Sequence, residues 1–230
     1  MRPALALVLL VSLSASAQSL KSDEEKSLYA IGYLMGSRNL QPLSLKPHEL
    51  DVVRRGLSDG ATGKKAQVEP DQQMEKINAF AQARSAAGAE KEKVAGRGYA
   101  DKAAKEPGAV KLPSGLVLKT LTPGNGPSPS ATDKVKVNYE GRLTNGTVFD
   151  SSYKRGQPAE FGLNQVIRCW TEGVQKMKVG EKARLVCPSD IAYGDHGHPP
   201  TIPGGATLVF DVELLGITPP ATPPPAAPQK

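Results

Sequence analysis

Val135-Lys136-Val137-Asn138-Tyr139-Glu140 decides the fold of the C-terminal half of this 230-residue chain. Its apolar Val135, Val137 and Tyr139 alternate with Lys136, Asn138 and Glu140, a period of two that fits a strand with one face buried and the other in water. Asn145-Gly146 follows as a hairpin signal, and Thr147-Val148-Phe149 returns from it. Upstream, Leu116, Leu118 and Leu121 lead into the turn cluster Pro123-Gly124-Asn125-Gly126. Downstream, strands are predicted at Lys182 to Cys187 and Ala206 to Leu215, with one short helix around Cys169 to Gln175. A twisted antiparallel sheet wrapped around that helix is the expected packing, an α+β fold.

The N-terminal half reads differently. Residues 22–105 are rich in Ala, Lys, Glu and Gln, which favours helix. Ser22-Asp23-Glu24-Glu25 has the form of an N-cap with an acidic first turn, and Leu28, Ile31, Leu34 and Met35 then fall on one stripe. A second helix follows Pro47, with Leu50, Val53 and Leu57, and stops at Ser58-Asp59-Gly60. The third starts near Pro70 and runs past Gly88, Gly96 and Gly98 towards Lys105, carrying Met74, Ile77, Phe80 and Ala81. So small a segment cannot bury these stripes by itself. Two readings cover them: a homodimer, or a bundle folded back on the same chain's sheet domain.

Met1-Arg2, the apolar run Ala4 to Leu13, and Ala15-Ser16-Ala17 have the order of a secretory signal peptide cleaved after Ala17. An uncleaved anchor is the alternative, although the run is too short to span a bilayer unaided, and no other stretch approaches membrane length. The expectation is an exported protein, periplasmic or released, with no membrane span. Its division is a signal peptide at 1–17, a helical dimerisation segment with a long linker helix at 18–111, a sheet domain at 112–217, and a Pro-rich disordered tail at 218–230. Cys169 and Cys187 are the only cysteines. In an oxidising compartment they form either a disulfide or two buried thiols.

Charge excludes one class of function. The net +6 is spread, with 16 basic against 13 acidic residues in 18–111 and 11 against 10 in 115–217. No basic stripe with interleaved aromatics is present, so no nucleic-acid partner is expected. His196 and His198 share a loop but lack a ligand set, so no metal is expected. Gly-x-Ser-x-Gly and phosphate-cradling loops are missing too. What remains is an apolar constellation of Tyr139, Phe149, Val166, Ile167, Trp170, Tyr193, Ile202 and Phe210, with Asp150 the charge among them. By periodicity alone these are core residues, and Asp150 a turn or cap residue.

Taken in order, Val-Asn-Tyr-Glu-Gly (137–141), Val-Phe-Asp-Ser-Ser (148–152), Val-Ile-Arg-Cys-Trp (166–170), Ala-Tyr-Gly (192–194) and Gly-Ala-Thr-Leu-Val-Phe-Asp-Val-Glu-Leu (205–214) resemble the FKBP-type peptidyl-prolyl cis/trans isomerases. The helices, with Tyr29, Gly32, Tyr33, Gly36 and Ser37, resemble more loosely the N-terminal dimerisation domain of the Mip-like exported subgroup. The resemblance implies a cofactor-free isomerase acting on proline-containing unfolded or nascent exported proteins, and sensitive to macrolide inhibitors. It implies catalytic roles for Tyr139, Phe149, Asp150 and Tyr193. Trp170 would form the pocket floor, Phe210 a wall, Val166 and Ile167 the rim, and His198 and Ile202 a flap, with Arg155 pairing Asp150. Ala159 stands where many members carry an aromatic wall, which implies a more open side; the Phe161 to Val166 loop is short, and Cys169 replaces a common Gly. A holdase chaperone or peptide-binding module, with isomerisation secondary, is the rival reading, and the large helical segment favours it.

Overall fold

The computed structural model describes residues 19–218. The predicted signal peptide, and the tail beyond Thr218, lie outside the described residues. Helix α1 (Asp23–Met35) opens on a capping box: the Ser22 Oγ accepts the Glu25 N–H at 3.0 Å, and the Glu25 carboxylate accepts the Ser22 N–H at 3.2 Å. A π-turn (Gly36–Leu40) and a 3-10 turn (Gln41–Leu43) carry the chain to α2 (Pro47–Ala61). α2 passes the predicted stop at Gly60. The left-handed backbone that ends it belongs to Gly63, at φ +69°.

α3 (Met74–Ala103) is one unbroken helix of 30 residues despite three internal glycines. Packing explains its continuity. Ala89, Gly96, Ala100 and Ala103 form its buried stripe, and small residues there let the backbone lie close on the sheet domain. Elsewhere the helices are bare: Leu28, Ile31, Leu34 and Met35 of α1, and Met74, Ile77 and Phe80 of α3, are all exposed. The fold-back reading therefore describes only the second half of α3, from Ala89 on.

Seven antiparallel strands follow: β1 (Ala109–Lys111), β2 (Val117–Thr122), β3 (Lys134–Leu143), β4 (Val148–Ser151), β5 (Ala159–Gly162), β6 (Lys182–Cys187) and β7 (Leu208–Thr218). They are ordered β1-β2-β6-β7-β3-β4, with β5 added to β3. β1 and β5 were not expected; runs of three and four residues are too short to show a period. Nor was α4 (Ser152–Arg155), a single turn beside the expected helix α5 (Arg168–Val174). The predicted hairpin is present, its turn closed by the Gly146 N–H on the Leu143 carbonyl at 2.9 Å. β7 runs through Thr218, one residue into the predicted tail, because Thr218 still pairs with Lys134.

The sheet is covered on both sides. Leu185 of β6 and Leu208 of β7 point to the face that holds Trp170 and Val174 of α5, while Val186 and Val209 meet Ala100 and Ala103 of α3. Two buried faces account for the nearly continuous apolar run of β6 and of the first half of β7. Cys169, in the first turn of α5, and Cys187, at the end of β6, form a disulfide with Cα atoms 5.7 Å apart. Among the described residues no helix is long and apolar enough to cross a membrane.

Candidate active site

α5 presents Trp170 upward into a cavity of about 450 Å³, within the range of small-ligand sites. The indole is 4 % exposed, and its centroid lies 5.2 Å from Tyr139, 5.6 Å from Phe161 and 5.4 Å from Phe210. All three rings stand at 86 to 89° to it, edge to face. Such pairs contribute about 0.5–1.5 kcal/mol each beyond their buried area, so the box is assembled before any ligand arrives. The Trp170 Nε1 is buried and has no hydrogen-bond partner among the described residues, while the rings around the indole make the walls apolar. Phe149 completes the wall at 5.7 Å from Phe210.

Gly141 makes that wall possible. A Cβ there would stand 2.7 Å from Phe149 Cζ and 2.8 Å from Phe210 Cε1. Gly141→Ala should therefore splay the two rings, lower stability by about 1–3 kcal/mol, and weaken peptide binding several-fold. Urea unfolding and the KM for a Leu-Pro peptide check both effects; an unchanged KM would sink the account.

One charged cluster stands at the rim. Asp150 lies in β4, opposite Gly141 of β3, so its carboxylate reaches the Tyr139 hydroxyl, which donates to it. The Ser151 Oγ accepts the Lys154 N–H and starts α4, and Gly156, at φ +73°, ends it. That single turn returns Arg155 to Asp150, with which it forms an ion pair. Arg155 Nη2 also donates to the Tyr139 hydroxyl at 2.9 Å. Asp150 is thus a strand residue whose side chain is held from two directions, and the cap position falls to Ser151. Underneath, the buried Ser152 Oγ accepts the Tyr139 N–H at 2.9 Å and anchors the ring.

Electrostatics follow from this geometry. Burial pushes the Asp150 carboxyl up, but hydrogen bonds from Tyr139 and Arg155, with the Arg155 charge, outweigh it and hold the group below the usual carboxylate range. Burial raises the Tyr139 phenol, and its bond to Asp150 raises it further. Across the cavity burial lifts the Tyr193 phenol, with a smaller push from the Asp150 charge. Asp150 therefore stays ionised, and both phenols protonated, over the whole neutral range. The contribution of Asp150 is present above its unfolded pKa and fades only as pH falls through its depressed folded value. A pH profile of kcat/KM should then be flat from about pH 5 to about pH 9 as far as this cluster is concerned; a step that Asp150→Asn abolishes would contradict the assignment.

Val166, Ile167 and Gln165 form the near edge of the cavity, and Tyr193 the far edge. Ile167 is the N-cap of α5, so its N–H stands outside the helix's own ladder. His198 and Ile202 lie beyond the lining. Their backbones bridge each other, with the His198 N–H on the Ile202 carbonyl at 2.8 Å; the His198 ring packs 5.7 Å from Tyr193, and the Ile202 side chain is buried in the core. Arg155 also lies outside the lining and touches the site through Asp150 and Tyr139.

The chain matches the FKBP-type peptidyl-prolyl cis-trans isomerase family over residues 126–215, and the domain amino terminal to such isomerases over residues 24–119. It is 45% identical over 215 residues to FkpA of Aeromonas hydrophila, covering 87% of this chain and 79% of that protein. Mip of Coxiella burnetii is 35% identical, with 94% and 96% covered. The crystal structure of FkpA from Escherichia coli superposes with a TM-score of 0.65 at 38% identity, over 87% of this chain and 99% of that one. The chain belongs to the FKBP-type peptidyl-prolyl isomerases.

In this isomerase one expectation from the sequence is corrected. Ala159 does not leave the cavity open, because Phe161 supplies the missing wall, 5.8 Å from Tyr139 and 5.6 Å from Trp170. Ala159 and Phe161 share one face of β5, and the register, which sets Phe161 opposite Val135, decides which of them meets Trp170. Phe161 was legible as the only aromatic residue of that segment. Gln165 and Gly141 carry no such signal, since nothing local marks a glycine as the seat of two distant rings.

Proposed function

We propose that this isomerase turns X-Pro bonds of exported proteins in the Trp170 cavity. The observation that carries the reading is an aromatic box with one fixed carboxylate at its rim. Rotation about X-Pro breaks no bond; the barrier of about 20 kcal/mol is lost amide resonance. The twisted amide separates less charge than the planar one, so a dry apolar site favours it over the ground state. The proline ring sits on Trp170 between Tyr139, Phe161 and Phe210, and Phe149 backs the wall. The Ile167 N–H and the Tyr193 hydroxyl receive chain carbonyls, while Val166 lines the approach and His198 with Ile202 forms the flap. Asp150, oriented by Tyr139 and Arg155, supplies field and no proton. Macrolides that carry a proline-like ring fit the same box.

The helical part, 18–111, pairs two copies through the bare stripes of α1 to α3, and 112–217 performs the chemistry. Exposed Leu28, Ile31 and Leu34 on one stripe of α1, with exposed Phe80 on α3, support pairing, because apolar stripes left in water mark contact surfaces. The signal sequence supports export to the periplasm. A holdase role is the second reading, favoured by the same apolar helical surface. The test is twofold: acceleration of Leu-Pro isomerisation by the purified mature protein, and its mass in solution. Acceleration by a dimer is the expected result; a folded protein without acceleration would leave the holdase reading in front, and a monomer would end the pairing.

A further inference from the structure

The loop Tyr193–Gly205 separates the cavity from α3. Its base is closed by the Gly205 N–H on the Gly194 carbonyl at 2.9 Å, and its tip by the His198–Ile202 bridge. α3 lies directly against the base. A Cβ on Gly205 would stand 2.1 Å from the Ala89 carbonyl oxygen, and one on Gly96 would stand 2.1 Å from Thr207 Oγ1, so the two backbones meet with no room between them. Ala89 is 3 % exposed, although it lies midway along a largely solvated helix. One turn on, Lys93 Nζ pairs with Asp195 of the loop at 2.5 Å. The tip is treated differently: Pro199, Pro200 and Ile202 border a second cavity of about 270 Å³, between the loop, α3 and the Gln41–Leu43 turn. The base is clamped while the tip has space.

We propose that Ala89 and Lys93 of α3 are positioning residues for the isomerase, clamping the base of the Tyr193–Gly205 loop so that Tyr193 stands fixed at the mouth of the cavity. The inference rests on the reading of that cavity as the substrate site. It makes the long helix part of the catalytic unit, because displacement of α3 alters the site through Tyr193 without touching the aromatic box. A loosened clamp raises KM and leaves kcat nearly unchanged, since the box and Asp150 are intact.

The test uses the full mature chain with Lys93→Glu, Asp195→Lys, the two combined, and Ala89→Leu. Each single charge reversal should raise KM for a Leu-Pro peptide roughly twofold to fourfold at low salt, and the combined swap should bring it back. Ala89→Leu, which wedges the loop off the helix, should raise KM roughly tenfold and speed hydrogen exchange at the His198 and Ile202 amides. Folded variants with the parent's KM and exchange rates would overturn the proposal, as would a swap that fails to restore KM. Should Ala89→Leu not fold, the charge reversals and their swap decide alone. A parent without isomerase activity would count against the reading of the cavity, and the exchange rates would still decide the clamp.

Discussion

Asp150→Ala should lower kcat/KM for a Leu-Pro peptide by roughly tenfold to a hundredfold and leave the folded protein nearly as stable as the parent. The stability half of the expectation comes from exposure. The Asp150 side chain is 42% exposed and its partner Arg155 44%, so their pairing is well screened and its removal leaves no charge stranded in the core. The activity half comes from placement. Among the described residues Asp150 is the one carboxylate lining the aromatic cavity, and its ionisation is guarded by Tyr139 and Arg155. Asp150→Asn keeps the shape and removes the charge, so it separates field from packing. If the field at the substrate carbonyl matters, Asn falls nearly as far as Ala; if Asn retains full activity, the carboxylate serves only to hold Tyr139. Far-UV and near-UV spectra should match the parent in both variants.

The second large effect concerns stability. Reducing the Cys169–Cys187 bridge, or replacing both cysteines by Ala, should cost about 3 kcal/mol, close to a 150-fold change in the folding equilibrium. The chain-entropy estimate follows from a sequence separation of 18. Both sulfurs are fully buried, so the double Ala variant should fall somewhat further than the reduced parent, through lost packing. Urea midpoints of the oxidised and reduced parent measure the difference, and the double variant should be insensitive to reductant. Equal midpoints for the two redox forms would remove the bridge from the account of stability. Below the unfolding transition the reduced protein should keep its isomerase activity, because Trp170 is held by three rings as well as by the bond beside it.

Much of this molecule could be read from residues alone, and the failures have physical causes. β3 announced itself by its alternation, α1 by its N-cap and acidic first turn and the 145–146 turn by Asn-Gly, all of them local signals. β1, β5 and α4 are too short for periodicity and exist because neighbours hold them: β5 pairs four residues of β3, and α4 is set by the Ser151 cap and the Gly156 turn. In the site, Tyr139, Phe149, Trp170 and Phe210 stood out as an ordered aromatic set. Phe161 was passed over: it lies two residues from Ala159, where the wall was looked for, and on the same face of β5. Gly141 and Ala89 could not be found at all, because what makes each of them matter is a distant chain segment pressed against it.

A helix of thirty residues is about 45 Å from end to end. Its second half packs on the sheet domain, so in the proposed pair the first half of each α3 joins a shared helical hub while the second half carries its own cavity, and both cavities are open to one unfolded chain. A client seated in one cavity is presented to the other at an effective concentration set by its own length and stiffness. Two weak sites then act as one long-lived hold on chains with several prolines, while a short peptide visits either site alone and leaves at once. Avidity of this kind grows with how unfolded the client is and vanishes as its prolines are buried, so release needs no energy source.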